Sequence, residues 1–549
     1  MNPWTQKHED GTIICRGHII NIVKREIIDG EITIRVGKIA AITSCNDIPA
    51  NAPYYLPGFI DSHVHIESSM MTPIEFARIA SRHGSIGAVC DPHEIGNVLG
   101  TKGVELMLHL ASLAEFRFAF GVPSCVPSCG PEIETSGFDI DSYGVAELLH
   151  RPDTYFLAEM MNFPGVLNGD AEVLAKIKAS HDEGKPVDGH APGLMGDARQ
   201  RYADAGISTD HECTSLAEGR EAVRCGMIVQ IREGSAAKDY AALAPLIAEA
   251  PGQVMFCTDD SHPTDLVRGH IDRIVRRAIS EGYDIMDILT AACLTPVQHY
   301  HIPSGLLQEG DPADFIAISD LTPHFRVIKT YCGGEKIYSS NGLFTANRLL
   351  EHSVSVQKEL IGKTYNKFNA KPISVADIAC KASSEEHIIV ASDGSLLTGH
   401  DIGPVTSYVQ KIVVYDRYSG TAKPQVSYIR GFNLRQGAFA QSIAHDCHNI
   451  VAVGTSDEYI VEVINRVIEM RGGIAATDGI VLEDLPLPIA GLMSPLCGHE
   501  LAYRNRLLEE VVQSAGCPLR APFITLAFMA LPVIPQLKLT DKGLIDLSL

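Results

Sequence analysis

No apolar run in these 549 residues approaches the roughly 18 that a helix needs to span a bilayer. Positive charge is scarce as well: 45 Lys and Arg stand against 67 Asp and Glu, a formal net charge of −22. A nucleic-acid polymer or an anionic membrane needs a positive footprint, so neither is expected as a partner. A small neutral substrate is compatible with that balance. The opening MNPWTQKHEDGTII has no basic start followed by an apolar block, so no secretory signal is expected there. The fourteen cysteines are scattered, and Cys90, Cys257 and Cys293 lie inside apolar runs. They read as reduced, buried thiols of a cytoplasmic protein. Cys125 and Cys129 lack the second CxxC pair of a zinc site. A G-x-S-x-G elbow, a P-loop and the H-x-E with P-C-x-x-C zinc pattern are also missing. HEIGN at 93–97 starts like a metalloprotease helix, but Asn97 stands where the second His belongs.

Hydrophobic content of 45% and charged content of 20% are those of a globular protein. At about 100–200 residues per domain, two to four domains are expected. The first fifty residues read as short strands, GTIICRG, HIINIV, EITIRVG and KIAAIT, and strand patterns return in DPADFIAIS and VIKTYCGGEKIYS. Residues 1–55 and 305–345 therefore predict a small β-sandwich domain split by a long insertion. Within the insertion, 56–304, eight apolar runs end in polar or small residues: YLPGFIDSHVH, SIGAVCDPHE, FRFAFGVPSC, TYFLAEMM, KPVDGH, AGISTDHE, MIVQIREGS and QVMFCTDDSH. Most precede a helix-like stretch, such as MTPIEFARIASRHG or DAEVLAKIKASHDEG. That count and length match an α/β fold of the (β/α)8 TIM-type barrel class. A doubly wound sheet fits less well, because no Gly-rich turn follows the first strand. Residues 355–549 mix strand runs (KIVVYDRYSG, NIVAVGT) with the amphipathic EYIVEVINRVIEMRGG, which predicts a separate C-terminal α/β domain. Its EDLPLPIAGLMSP reads as an ordered loop.

The informative feature is where His and acids fall. His63 and His65 end the first run, His93 the second, Glu159 the fourth, His190 the fifth, His211 the sixth and Asp259 the eighth. In a barrel all strand C-termini open on one face, so residues far apart in sequence converge there. Taken singly, each has a bland reading: a hydrogen-bonded structural His, an ion-pair Glu, or an Asp that caps the next helix. Their shared placement points to a metal site. On a strand, i and i+2 face the same way, so His63 and His65 can hold one cation while His190 and His211 hold a second. Two cations a few Å apart need an anionic bridge, and Glu159 is the only acid in its run. A carboxylated lysine is the other known bridge, but Lys176 and Lys178 fall in the following helix. Imidazole with carboxylate suits Zn, Mn or Fe(II).

LPGFIDSHVHIESS, DPHEIGNVLG, AEMMNFPGVLNGD, VDGHAPG, STDHECTSLAEG and CTDDSHP resemble the adenine deaminase family of the amidohydrolase superfamily. The likeness covers nearly the whole chain, including that family's extra C-terminal domain. It implies hydrolytic deamination of adenine to hypoxanthine and ammonia in purine salvage, with a homo-oligomer as the expected assembly. It implies a binuclear divalent centre of Mn(II) or Fe(II), with Zn(II) as a third candidate. His63, His65, Glu159, His190, His211 and Asp259 would be its ligands. In the mechanism so implied, a hydroxide bridging the cations attacks C6, and Asp259 accepts its proton and passes it to the leaving amine. His93 orients or polarises the substrate. Glu67 either protonates a ring nitrogen such as N1 or braces a ligand. Ser68, Arg232 and Asp260 are candidate substrate contacts with Glu67. Arg232 would otherwise pair with Glu233, and Ser235 follows them. Asp260 and His262 could add a metal site, assist proton transfer or be structural. His445 and His448 in AHDCHN are a surface pair or reach a neighbouring active site. The competing readings are a cyclic amide hydrolase of the same superfamily and a non-catalytic barrel scaffold. The first typically uses a carboxylated lysine, and the second tends to lose ligands.

Overall fold

The computed structural model describes residues 4–235, 237–340, 359 and 365–546. All eight runs become barrel strands: β1 (Phe59–Val64), β2 (Ser85–Cys90), β3 (Arg117–Val122), β4 (Thr154–Met160), β5 (Val187–Gly189), β6 (Thr209–Asp210), β7 (Ile228–Arg232) and β8 (Val254–Cys257). β1 to β5 pair in parallel in chain order, and so do β6 to β8. Two seams close the ring. Val187 bridges Ile207 between β5 and β6, and Val64 bridges Asp259 between β1 and β8. The Asp259 N–H donates to the His63 carbonyl at 2.9 Å. Helices between strands start where caps allow. Asp170 accepts the N–H groups of Glu172 and Val173 and opens Ala171–Asp182. On that helix, Lys176 is buried and its amine donates to the carbonyls of Ser124 and Ile140, both at 2.9 Å.

The small β-domain is one eight-stranded sheet that joins N-terminal strands to Phe315–Ile318, Val327–Cys332 and Glu335–Ser339 through Tyr54–Pro57. Tyr54–Pro57 pairs with Ile13–Asn21 and Phe315–Ile318, so the chain crosses into the barrel at Gly58 rather than at residue 56. The sheet curls over a core that includes Cys15, Ile19, Ile32, Tyr55, Phe315 and Tyr331. Its curl brings the turn at Gly37 (φ +72°) against Gly333, where an added Cβ would lie 2.6 Å from the Gly333 carbonyl oxygen. The expected limits at 345 and 355 lie outside the described residues.

The C-terminal region has its own mixed eight-stranded sheet and a small hairpin, Leu537–Thr540 with Gly543–Asp546. Helix Asp457–Met470 starts at Ser456, whose hydroxyl accepts the Tyr459 N–H. It buries Ile460, Val463, Ile464 and Val467 against Val413, Ala440 and Ala452, the stripe its sequence period requires. EDLPLPIAGLMSP is not all loop: Leu482–Pro486 is an edge strand beside Gly473–Thr477. Pro486 is tolerated there because an edge needs no ladder hydrogen bond from it. The loop beyond it pairs with the barrel, Ser494 donating its N–H to the Met70 carbonyl at 2.9 Å. Gly498 likewise donates to Glu75. These contacts lay the C-terminal region over the face where the barrel strands end. Among the described residues no helix is long and apolar enough to cross a membrane.

Candidate metal centre

The histidines and acids at the strand ends meet in one buried cluster. The His65 Nδ1 lies 3.2 Å from the Asp91 carbonyl oxygen. A proton on Nδ1 satisfies that carbonyl and leaves Nε2 free to ligate. His65 Nε2 is 3.3 Å from Glu159 Oε1 and 3.2 Å from Asp259 Oδ1. His63 Nε2 is 3.9 Å and 3.7 Å from the same two oxygens. The other oxygen of Glu159, Oε2, is 2.7 Å from His190 Nδ1 and 3.2 Å from His211 Nε2. One carboxylate thus turns one oxygen to the β1 pair and the other to the β5–β6 pair. The rings of His63 and His211 stack at 4.1 Å between the two halves. Asp259 sits just past β8 with φ +56°, a left-handed conformation that Asp tolerates better than most residues.

Burial works against charge on every group here, and the neighbours outweigh it for some. His190 and His211 hold the Glu159 carboxyl well below its usual range despite burial. Burial also opposes the Asp259 carboxylate, but His65 and Arg232 hold its pKa well below the ordinary value. His63 goes the other way: burial, with His211 alongside, drops it well below an ordinary histidine. Both ring nitrogens of His63, Nε2 of His190 and Nδ1 of His211 are buried without a hydrogen-bond partner. An unpaired buried polar atom costs about 1–3 kcal/mol, so four in one cluster need another reason. A cation takes one nitrogen of each ring and so accounts for part of that cost. His63, His65 and Asp259 form one potential ligand group, and His190, His211 and Glu212 another, each with ligand atoms within 4.8 Å of one another. Neutral imidazoles and carboxylates in such groups suit divalent Mn, Fe or Zn.

The remaining sequence candidates fall at different depths. His93 opens helix His93–Leu99, with Nδ1 3.0 Å from Asp91 and 3.5 Å from Glu159. Its Nε2 reaches outward to Glu94 (3.5 Å) and Asp446 (3.6 Å). Asp260 lines the cavity over the cluster, and burial with the adjacent Asp259 pushes its carboxyl up to about 6. Ser68 and Glu67 stand behind that wall. Ser68 donates to Asp260 at 2.5 Å. Glu67 accepts the Ile95 N–H at 3.3 Å, and burial raises it to about 7. Arg232 does not pair with Glu233. Its guanidinium is buried against Glu212, Asp259 (2.9 Å) and Asp239 (3.0 Å), while Glu233 meets Arg277 at 3.4 Å. Ser235 donates to Asp265 at 2.7 Å. His262 is buried, and burial pulls it down to about 4. Cys125 and Cys129 are free thiols.

Three further acids, Glu94, Glu212 and Asp446, line the same cavity, and none of them is among the ligands or substrate contacts expected from the sequence. Each adjoins a residue that the sequence does single out, in DPHE, TDHE and AHDCHN. The pair in AHDCHN is not on the surface. His445 and His448 are 3% and 1% exposed, and both hold Glu94, His445 Nδ1 at 2.5 Å. Despite its burial, those two histidines hold Glu94 well below the usual carboxylate range. The C-terminal region also supplies Leu396, Phe528, Leu531 and Ile534 to the cavity wall.

Behind that wall lies Lys538, fully buried, with Nζ 3.0 Å from the Leu396 carbonyl and 2.9 Å from that of Phe528. Burial pulls it from 10.5 down to about 7. A neutral amine has two hydrogens, and both are used. Between about 7 and 10.5 the unfolded chain binds one more proton than the folded one, so stability rises with pH across that window. Below it, both states are protonated and the burial penalty is constant. The thermal midpoint of the wild type, minus that of Lys538→Met, is expected to climb from pH 7 to pH 10. A flat difference would show that the amine stays charged in the fold.

Residues 54–337 match the amidohydrolase family model, and residues 395–549 match that of the adenine deaminase C-terminal domain. The chain is similar to the adenine deaminase of Salinibacter ruber, 45% identical over 544 residues, with 96% of each chain covered. It is 44% identical to that of Parabacteroides distasonis, with 98% of each covered, and 43% identical to that of Methanosarcina mazei, with 97% of each covered. Among solved structures, dihydropyrimidinase from Brevibacillus agri superposes with a TM-score of 0.45 at 14% identity, covering 61% of this chain and 96% of that one.

Proposed function

The chain belongs to the adenine deaminase family of amidohydrolases, and on that footing we infer that it hydrolyses adenine to hypoxanthine and ammonia. The observation that carries this reading onto its own residues is the division of Glu159 between two histidine pairs. His63 and His65 would hold one divalent cation and His190 and His211 the other, with Glu159 between them and Asp259 beside the first. Such a pair supplies a water made acidic enough to attack at neutral pH, and a positive field for charge developing on the ring.

The chain's own groups do the rest. Asp259 Oδ1 takes the proton of the attacking water and returns it to the leaving amine, as base and then acid. Arg232, bound to Oδ2 at 2.9 Å, keeps Oδ1 turned inward. His93, fixed by Asp91, orients the purine. Asp260, on the cavity wall, is the acid placed for a ring nitrogen such as N1. Glu67 braces the site from behind, because its contact with the Ile95 N–H steadies the helix that carries His93.

We further place the enzyme in the cytoplasm, where its fourteen free thiols stay reduced, as a homo-oligomer serving purine salvage, with Mn(II) or Fe(II) ahead of Zn(II). Metal content measured beside ammonia release from a purine panel tests the reading. Chelation is expected to bring ammonia release from adenine to background, and reloading with Mn(II) or Fe(II) to restore it. Ring opening of hydantoin or dihydroorotate without ammonia from adenine would make the chain a cyclic amide hydrolase. No metal taken up at all would make it a scaffold.

A further inference from the structure

The cavity over the metal cluster has two unlike halves. The barrel contributes the ligands and Asp260, and the C-terminal region contributes Phe528 and Leu531 with one acid, Asp446. Asp446 is 2% exposed. Its Oδ1 lies 3.6 Å from His93 Nε2, and its Oδ2 is buried with no hydrogen-bond partner. The nearby His445 Nδ1, 4.0 Å from Asp446, is spent on Glu94 at 2.5 Å. An acceptor left bare in a buried cavity calls for a donor that arrives with the ligand.

Which donor follows from the chemistry. Resting on the deamination reading, the 6-amino end of adenine must face the metal cluster, because that bond breaks. The one other N–H of the free base is on the five-membered ring, at the opposite end. A single imidazole separates the two ends of the cavity: His93 Nδ1 is 3.5 Å from Glu159, and its Nε2 is 3.6 Å from Asp446.

We propose that Asp446 is the specificity residue for the free base: its Oδ2 accepts the imidazole N–H of adenine, while Phe528 and Leu531 cover the ring face. A nucleoside carries a glycosidic bond in place of that hydrogen. It would leave the carboxylate oxygen buried and unpaired, which a site built around the hydrogen bond rejects.

The test compares adenine with 9-methyladenine, which has no imidazole N–H, in wild type, Asp446→Ala and Asp446→Asn. Ammonia release gives kcat/KM, and titration with hypoxanthine and 9-methylhypoxanthine gives binding without turnover. The wild type should favour the unmethylated base. In Asp446→Ala that preference should shrink roughly ten- to a hundredfold, the worth of a hydrogen bond to a charged group. Asp446→Asn keeps a weaker acceptor and should retain part of the preference; it also serves if the alanine variant does not fold. An equal loss on both bases, or an unchanged preference, overturns the proposal. So does a third equivalent of metal that disappears with Asp446, since the carboxylate would then be a ligand. A wild type that releases no ammonia from adenine, yet binds hypoxanthine with the Asp446-dependent preference, fails the deamination reading and sustains this one.

Discussion

Glu159→Gln is expected to lose about one equivalent of metal and nearly all turnover while the barrel stays folded. A glutamine has the shape of the glutamate but only one oxygen. Its amide nitrogen cannot face a cation, so either the His63–His65 side or the His190–His211 side loses its shared ligand. Residues that merely orient metal ligands are worth about 10- to 100-fold in affinity or activity. A ligand shared by both halves should exceed that and leave less than about 1% of wild-type kcat/KM. The fold should survive, because the substitution is isosteric and β4 keeps its pairing with β3 and β5. Metal analysis, steady-state ammonia release and a thermal melt together read all three. A variant with two metals and a tenth or more of wild-type activity would remove Glu159 from the bridge.

Asp259→Asn should act on the chemistry itself. The aspartate turns Oδ1 to His65 Nε2 at 3.2 Å and Oδ2 to the buried Arg232 at 2.9 Å. An asparagine can satisfy one side only. With its oxygen toward Arg232, its NH2 points at the cluster and cannot take a proton. With its oxygen toward the cluster, its NH2 opposes a guanidinium. Neither orientation gives a base, and general acid–base catalysis is worth about 10²- to 10⁴-fold. The expected result is a kcat lower by about 10³-fold with KM for adenine little changed. A kcat within tenfold of wild type would show that the proton goes elsewhere.

Much of this arrangement is legible in the chain because it is built from strands. Alternation puts His63 and His65 on one face, and strands that end on one rim bring Glu159, His190, His211 and Asp259 to them. What the sequence does not carry is which surface the C-terminal region presents to that rim. His445, paired with His448, therefore reads equally as a surface residue or as one that reaches a neighbouring site, and Asp446 between them goes unnoticed, although His445 and Asp446 line the cavity. The partner of Arg232 is hidden for a different reason, within the barrel itself. Its neighbour in sequence is Glu233, but on β7 the two side chains diverge, and Arg232 finds Glu212 and Asp259 from the flanking strands instead. Glu94 shows the limit of motif reasoning. Its helix fails the metalloprotease pattern at Asn97, yet the glutamate itself is held by two histidines far along the chain.

That last contact has a consequence for how the protein comes into being. Glu94 belongs to the first quarter of the chain, and its counter-charges, His445 and His448, belong to the last. A ribosome adding about 5–20 residues per second finishes β8 roughly 10 to 40 seconds before it delivers them. Through that interval the chain has every strand-end histidine and acid of the barrel, but not the counter-charges of Glu94 or the residues that cover the rim. The catalytic chamber is therefore a late product of translation, complete only once the final fifth of the polypeptide has been made.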